Sequence, residues 1–120
     1  MAAKRDVQVR RIYEEAKDDD GARVLVDRIW PRGVSKGRAE LDEWCKDISP
    51  STELRTWYAH DPDKFDEFAR RYRKELEEPP RDDALEHLKG MATEQRLTLL
   101  TATKNADISE AAVLAKVMRG

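Results

Sequence analysis

Apolar residues recur along the chain with two different periods. Residues 7–12, Val-Gln-Val-Arg-Arg-Ile, alternate and are rich in β-branched side chains, which predicts an edge or half-exposed strand. Glu14 to Gly21 is acidic and ends in glycine, so it reads as a loop. Arg23 to Trp30 carries a continuous apolar run, Val-Leu-Val, of the kind found in strands buried on both faces of a parallel sheet. Pro31-Arg32-Gly33 halts it, and Leu97-Thr-Leu-Leu-Thr-Ala102 predicts a second buried strand.

Elsewhere the spacing becomes helical. Leu41, Trp44, Cys45 and Ile48 stand at i, i+3, i+4 and i+7, predicting a helix that ends at Ser49-Pro50. Ser49 then reads as the N-cap of the next helix, with Pro50 at its first position. Asp61-Pro62 gives the same start signal for a helix with Phe65, Phe68, Ala69, Tyr72 and Leu76 on one face, closed by Glu77-Glu78-Pro79-Pro80. A shorter helix from Asp83 to Met91 turns Leu85 and Leu88 inward. Asp107-Ile-Ser-Glu110 reads as an acidic capping box before a final helix bearing Ile108, Ala111, Ala112, Ala115 and Met118. Strands separated by long helical stretches predict a single compact α/β domain over residues 1–120. The expected sheet is small and mostly parallel, with about three or four strands packed by about five helices.

Composition narrows the functional classes. A chain of 120 residues fits one domain and one site. Charged residues make up 40% of it, against the roughly 25% usual in globular proteins. Yet 23 Lys and Arg nearly balance 25 Asp and Glu, for a net charge of −2. Such a chain exerts no general attraction for nucleic acid. Apolar runs are too short for a membrane span, and Met1 to Asp6 shows no apolar signal core, so the expected compartment is the cytoplasm. Cys45 is the only cysteine, which rules out an intramolecular disulfide, and with two histidines it gives no metal-site spacing. No metal and no cofactor are expected: neither the phosphate-loop nor the dinucleotide fingerprint occurs.

The candidate chemistry lies just past the apolar runs, where parallel sheets bind ligands. The first run leads into Asp27-Arg28-Ile29-Trp30-Pro31-Arg32-Gly33, and the second leads through Thr103 and Lys104 towards a helix N-terminus that suits an anion. From Arg23 to Arg38 five basic residues (Arg23, Arg28, Arg32, Lys36, Arg38) meet one acid, Asp27, so this segment carries +4 in a chain of −2. Arginine suits such a site because its planar fork grips phosphate or carboxylate with two hydrogen bonds. Arg28, Arg32 and Lys104 are the candidate anion ligands, and Asp27 and His60 the candidate catalytic pair. Trp30, Gly33 and Tyr72 are candidate walls. Each has a structural alternative: an Asp27–Arg28 ion pair at a strand end, a Trp30 that only packs, a solvated Lys104, and an Asp61 that caps a helix rather than assisting His60. Cys45 reads as core, His87 as surface, and Arg70 to Glu75 as a solvated helix face.

The strings Arg23-Val-Leu-Val-Asp-Arg-Ile-Trp-Pro-Arg-Gly-Val-Ser-Lys36, Leu41-Asp-Glu-Trp44, Glu53-Leu-Arg-Thr-Trp57, His60-Asp-Pro62 and Ala102-Thr-Lys104 resemble the domain-of-unknown-function 488 family, in its YeaO-like branch. The resemblance implies a compact α/β fold of bacterial or archaeal type with a site near Asp27, Arg28, Arg32 and Lys104, and it supplies no established activity. In that branch the lysine is commonly followed by Asp and then by an Asn-His-Ala string. Here the segment reads Asn105-Ala-Asp-Ile-Ser109-Glu110-Ala111, which leaves His60 as the one candidate imidazole for any proton transfer. Two functions follow as expectations. One is an α/β domain that binds or acts on a phosphate-bearing small molecule such as a nucleotide. The other is a non-catalytic regulatory or interaction module whose Arg-rich loop docks an acidic partner, with nucleic acid as a partner only if Arg10, Arg11, Arg28, Arg32 and Arg38 line one face.

Overall fold

The apolar runs become strands of one sheet in the computed structural model, which describes residues 6–120. The N-terminal stretch read above for a signal core lies outside those residues, apart from Asp6. Strands β1 (Val7–Arg11), β2 (Ala22–Leu25), β3 (Glu43–Trp44) and β4 (Leu97–Thr101) pair in the order β1-β4-β2-β3, and every pairing is parallel. Leu97 faces Val7 on one side and Ala22 on the other, so β4 is central and fully buried, as its apolar run predicts. β1 is an edge strand, as its alternation predicts.

Successive residues of a strand point to opposite faces, and the core divides accordingly. Val24, Val26, Leu97 and Leu99 face the larger cluster, which is completed by helices α2 (Thr52–Tyr58), α3 (Phe65–Glu75), α4 (Arg81–Glu94) and α5 (Glu110–Arg119). Leu25 and Leu100 face a smaller one with Ile12, Val34 and Ala39, the last from the four-residue helix α1 (Lys36–Ala39). Phe68 stacks on Tyr58 at 4.1 Å between ring centres, so the aromatic stripe of α3 is core.

Four predicted boundaries are corrected. β2 stops at Leu25 rather than Trp30; Val26 still donates to the Leu100 carbonyl, and beyond it the Asp27 side chain turns to the end of β4. Leu41 to Ile48 is not a helix. Glu40, at φ 48°, ends α1, and the next residues lie along β2, with the Asp42 N–H on the Arg23 carbonyl and the Cys45 N–H on the Leu25 carbonyl. Their helical spacing arises because Leu41 and Trp44 face the small cluster while Cys45 and Ile48 face the large one. Ser51, not Ser49, caps α2 by accepting from the Leu54 N–H. Ser109, not Asp107, caps α5 by accepting from the Ala112 N–H, after a 3-10 turn over Ala106–Ile108.

Candidate functional site

Because the strands are parallel, the segments that leave β1, β2 and β4 emerge on one edge of the sheet. They enclose an open cleft of ≈ 1390 Å³ together with the end of α2 and the start of α5. Asp27, Arg28, Trp30, Arg32, His60 and Lys104 all line it, so residues far apart in sequence are brought together here.

The cations stand apart from the rest of the molecule. Arg28, Arg32 and Lys104 are exposed, and their side chains make no ion pair or hydrogen bond with any described residue. Asp27 does not pair with Arg28. Its Oδ1 accepts from the Thr101 hydroxyl at 2.8 Å and its Oδ2 from the Ala102 N–H at 2.7 Å, which ties the end of β2 to the end of β4. Trp30 lines the cleft and is also structural: its indole N–H donates to the Val34 carbonyl at 2.7 Å and its ring meets Trp44 edge-on at 5.2 Å.

Two expected walls fall elsewhere, and Asp61 takes its capping alternative. Tyr72 is fully buried away from the cleft, with its hydroxyl on the Ile48 carbonyl at 2.5 Å, because its place on the apolar stripe of α3 carries it into the core. Gly33 also lies outside the lining; its φ of 75° serves the turn after Pro31, with open space where a Cβ would stand. His60 is exposed on the cleft at φ 58°, and Asp61 does not support it: that carboxylate accepts from the Asp63 N–H and caps the 3-10 turn Pro62–Lys64. Cys45 is buried, its thiol pushed up to about 11 mainly by desolvation, which leaves it inert as a nucleophile.

Sequence reasoning missed Glu110 as a member of the site. It reads there as one half of a capping box, yet as the first residue of α5 it brings its carboxyl into hydrogen-bond contact with that of Asp27 on the cleft. Burial first, and then the Asp27 carboxyl, push Glu110 well above the usual carboxylate range, while Arg55 pulls the other way. The signal available in the sequence is positional: an acid opening the helix that follows a buried parallel strand points back at the strand ends. The helix N-terminus expected to receive an anion is thus faced by the protein's own carboxyl. Among the described residues no cluster of His, Cys, Asp and Glu is arranged to hold a metal ion.

The chain is similar over its whole length to curated proteins without an assigned activity. It is 47% identical over 120 residues to the uncharacterized protein Rv3073c of Mycobacterium tuberculosis, covering 100% of this chain and 99% of that one. To the uncharacterized protein YeaO of Escherichia coli it is 40% identical over 114 residues, covering 95% and 97%. No solved structure matches it. Residues 6–120 match throughout the family described as the inactive DUF488-N3 subclade, and the chain belongs to that family.

Proposed function

We propose that this protein is a non-catalytic anion-binding domain whose cleft holds a phosphate-bearing small molecule on Arg28, Arg32 and Lys104. The observation that carries this reading is that those three cations meet at one cleft with no partner among the described residues. Arg10, Arg23, Arg70, Arg71, Arg81 and Arg96 all have carboxylate neighbours. In a chain with more acids than bases, three unpaired cations around one cleft leave their charge to a ligand.

Binding rather than turnover is supported by the side groups. Both Asp27 oxygens already accept hydrogen bonds, and among the described residues no carboxylate orients His60. The family's description as inactive agrees with this. A concave cleft favours a small molecule over a flat protein or nucleic-acid surface, and Arg10, one of the five arginines a nucleic-acid face would need, is engaged by Glu14 and Asp20. The compartment proposed is the cytoplasm, in keeping with a lone buried thiol and with the absence of any described helix long and apolar enough to cross a membrane.

A thermal-shift screen of nucleoside monophosphates and sugar phosphates tests the reading, because a ligand bound only by the folded state raises the melting temperature. Arg28→Ala and Lys104→Ala should each weaken binding by about tenfold, the loss of one charge-assisted hydrogen bond, without lowering the melting temperature of the free protein. If no phosphate compound stabilises the wild-type protein, the anion site is wrong.

A further inference from the structure

The cleft has two poles. Arg28, Arg32 and Lys104 supply positive charge, while Asp27 and Glu110 bring two carboxyl groups into mutual contact in the same space. A cleft built for a bare anion gains nothing from carboxylates, since negative charge beside the ligand opposes it. Their presence calls for a ligand with a second, hydrogen-bond-donating end.

The pair is well placed for that role. Asp27 is held by Thr101 and Ala102, so its position is set before any ligand arrives. The groups that face Glu110 are Asp27 from the end of β2 and Arg55 from α2, with the phenols of Tyr58 and Tyr72 nearby. Arg55 is directed to the Pro50 carbonyl and the Thr52 hydroxyl, so it does not form an ion pair with Glu110. Burial and the adjoining Asp27 carboxyl favour the protonated form of Glu110. That hydrogen is used within the pair, which then offers only acceptor lone pairs to the cleft. Tyr13, Trp30 and Ile29, the last 71% exposed, add apolar surface to the same walls.

We propose that the Asp27–Glu110 pair recognises an edge bearing two adjacent N–H donors, of the kind a guanine base presents, on the same molecule whose phosphate rests on Arg28, Arg32 and Lys104. This rests on the anion-site reading and assigns its ligand class: a purine nucleotide with an amidine-type edge. Adjacent acceptors match adjacent donors, and a cleft of ≈ 1390 Å³ has room for a base and sugar as well as a phosphate.

Calorimetric titration of the intact protein compares GMP with IMP, which lacks the exocyclic amino donor, and with ribose 5-phosphate, which lacks the base. GMP should bind about tenfold tighter than IMP, the worth of one well-placed hydrogen bond, and ribose 5-phosphate more weakly than either. Glu110→Gln, whose amide can donate to Asp27 and still present an acceptor, should keep the preference; Glu110→Ala should abolish it. Wild-type affinity should fall as rising pH removes the Glu110 proton and adds negative charge, whereas Glu110→Gln should not follow that fall. Equal binding of GMP and ribose 5-phosphate, or a GMP preference that survives in Glu110→Ala, overturns the donor-edge assignment and leaves the anion site standing. Failure of all three compounds to bind overturns both.

Discussion

Asp20 is 1% exposed and survives as a carboxylate because every side of it is hydrogen-bonded. Oδ2 accepts from Arg23 at 2.5 Å and from the Lys17 N–H at 3.0 Å; Oδ1 accepts from Gln8 at 3.1 Å and Arg10 at 3.2 Å. Arg23 completes the set by donating to the Ala39 and Glu40 carbonyls. Burial alone would raise the Asp20 carboxyl, but the Lys17 N–H and the Arg23 and Arg10 guanidinia outweigh it and hold it below its ordinary value. Removing one member of such a buried pair leaves the other charge without compensation, so Asp20→Asn should cost about 3–5 kcal/mol in urea denaturation at neutral pH. The sign of the pH effect follows from the lowered carboxyl. Its stabilisation is present above the unfolded value and lost as pH falls through the folded one, so the gap between wild type and variant should narrow in acid. An unchanged denaturation midpoint at neutral pH would show that the network contributes only local order.

At the level of elements, Gly21 decides how β2 enters the sheet. It sits at φ 67° and ψ −134°, and a Cβ there would meet the Arg96 carbonyl oxygen at 2.1 Å, against backbone that also accepts the Ala22 N–H. Gly21→Ala should therefore destabilise the protein by roughly 3 kcal/mol, since both the dihedral and the contact are unfavourable, and a melt within experimental error of wild type would refute this. Strands β1, β2 and β4 and helix α3 are legible in sequence because their burial is one-sided or complete, and period reports that directly. Leu41 to Ile48 was not, because two sheet faces sampled in turn produced a helix-like spacing. The candidate site divides in the same way. Asp27, Arg28, Arg32 and Lys104 are legible as cleft-lining residues from their place after buried strands, a local signal. Tyr72 was misplaced because its hydroxyl suggested a polar edge, when the partner was a carbonyl within the core. Glu110 was hidden because capping chemistry explains an acid at a helix start, and only the crossing from β4 to α5 brings it against Asp27.

For the whole molecule, the net charge of −2 says less than the opposed behaviour of two carboxyls, Asp20 and Glu110. Asp20 is held low and Glu110 is pushed up, so they act on stability from opposite ends of the pH scale. Glu110 titrates in the ordinary carboxylate range when unfolded and well above it when folded. The folded state therefore retains a proton that the unfolded state has released. That contribution is full below the unfolded value and is lost as pH rises through the folded one. Together these two groups favour the folded state most between protonation of Asp20 and ionisation of Glu110. Glu110→Gln cannot ionise, so it should match wild type in acid and become the more stable protein towards neutral and alkaline pH. Thermal melts across that range measure the difference directly. A Glu110→Gln profile that runs parallel to wild type at every pH would mean that Glu110 does not retain its proton on folding, and the acceptor pair in the cleft would lose its physical basis.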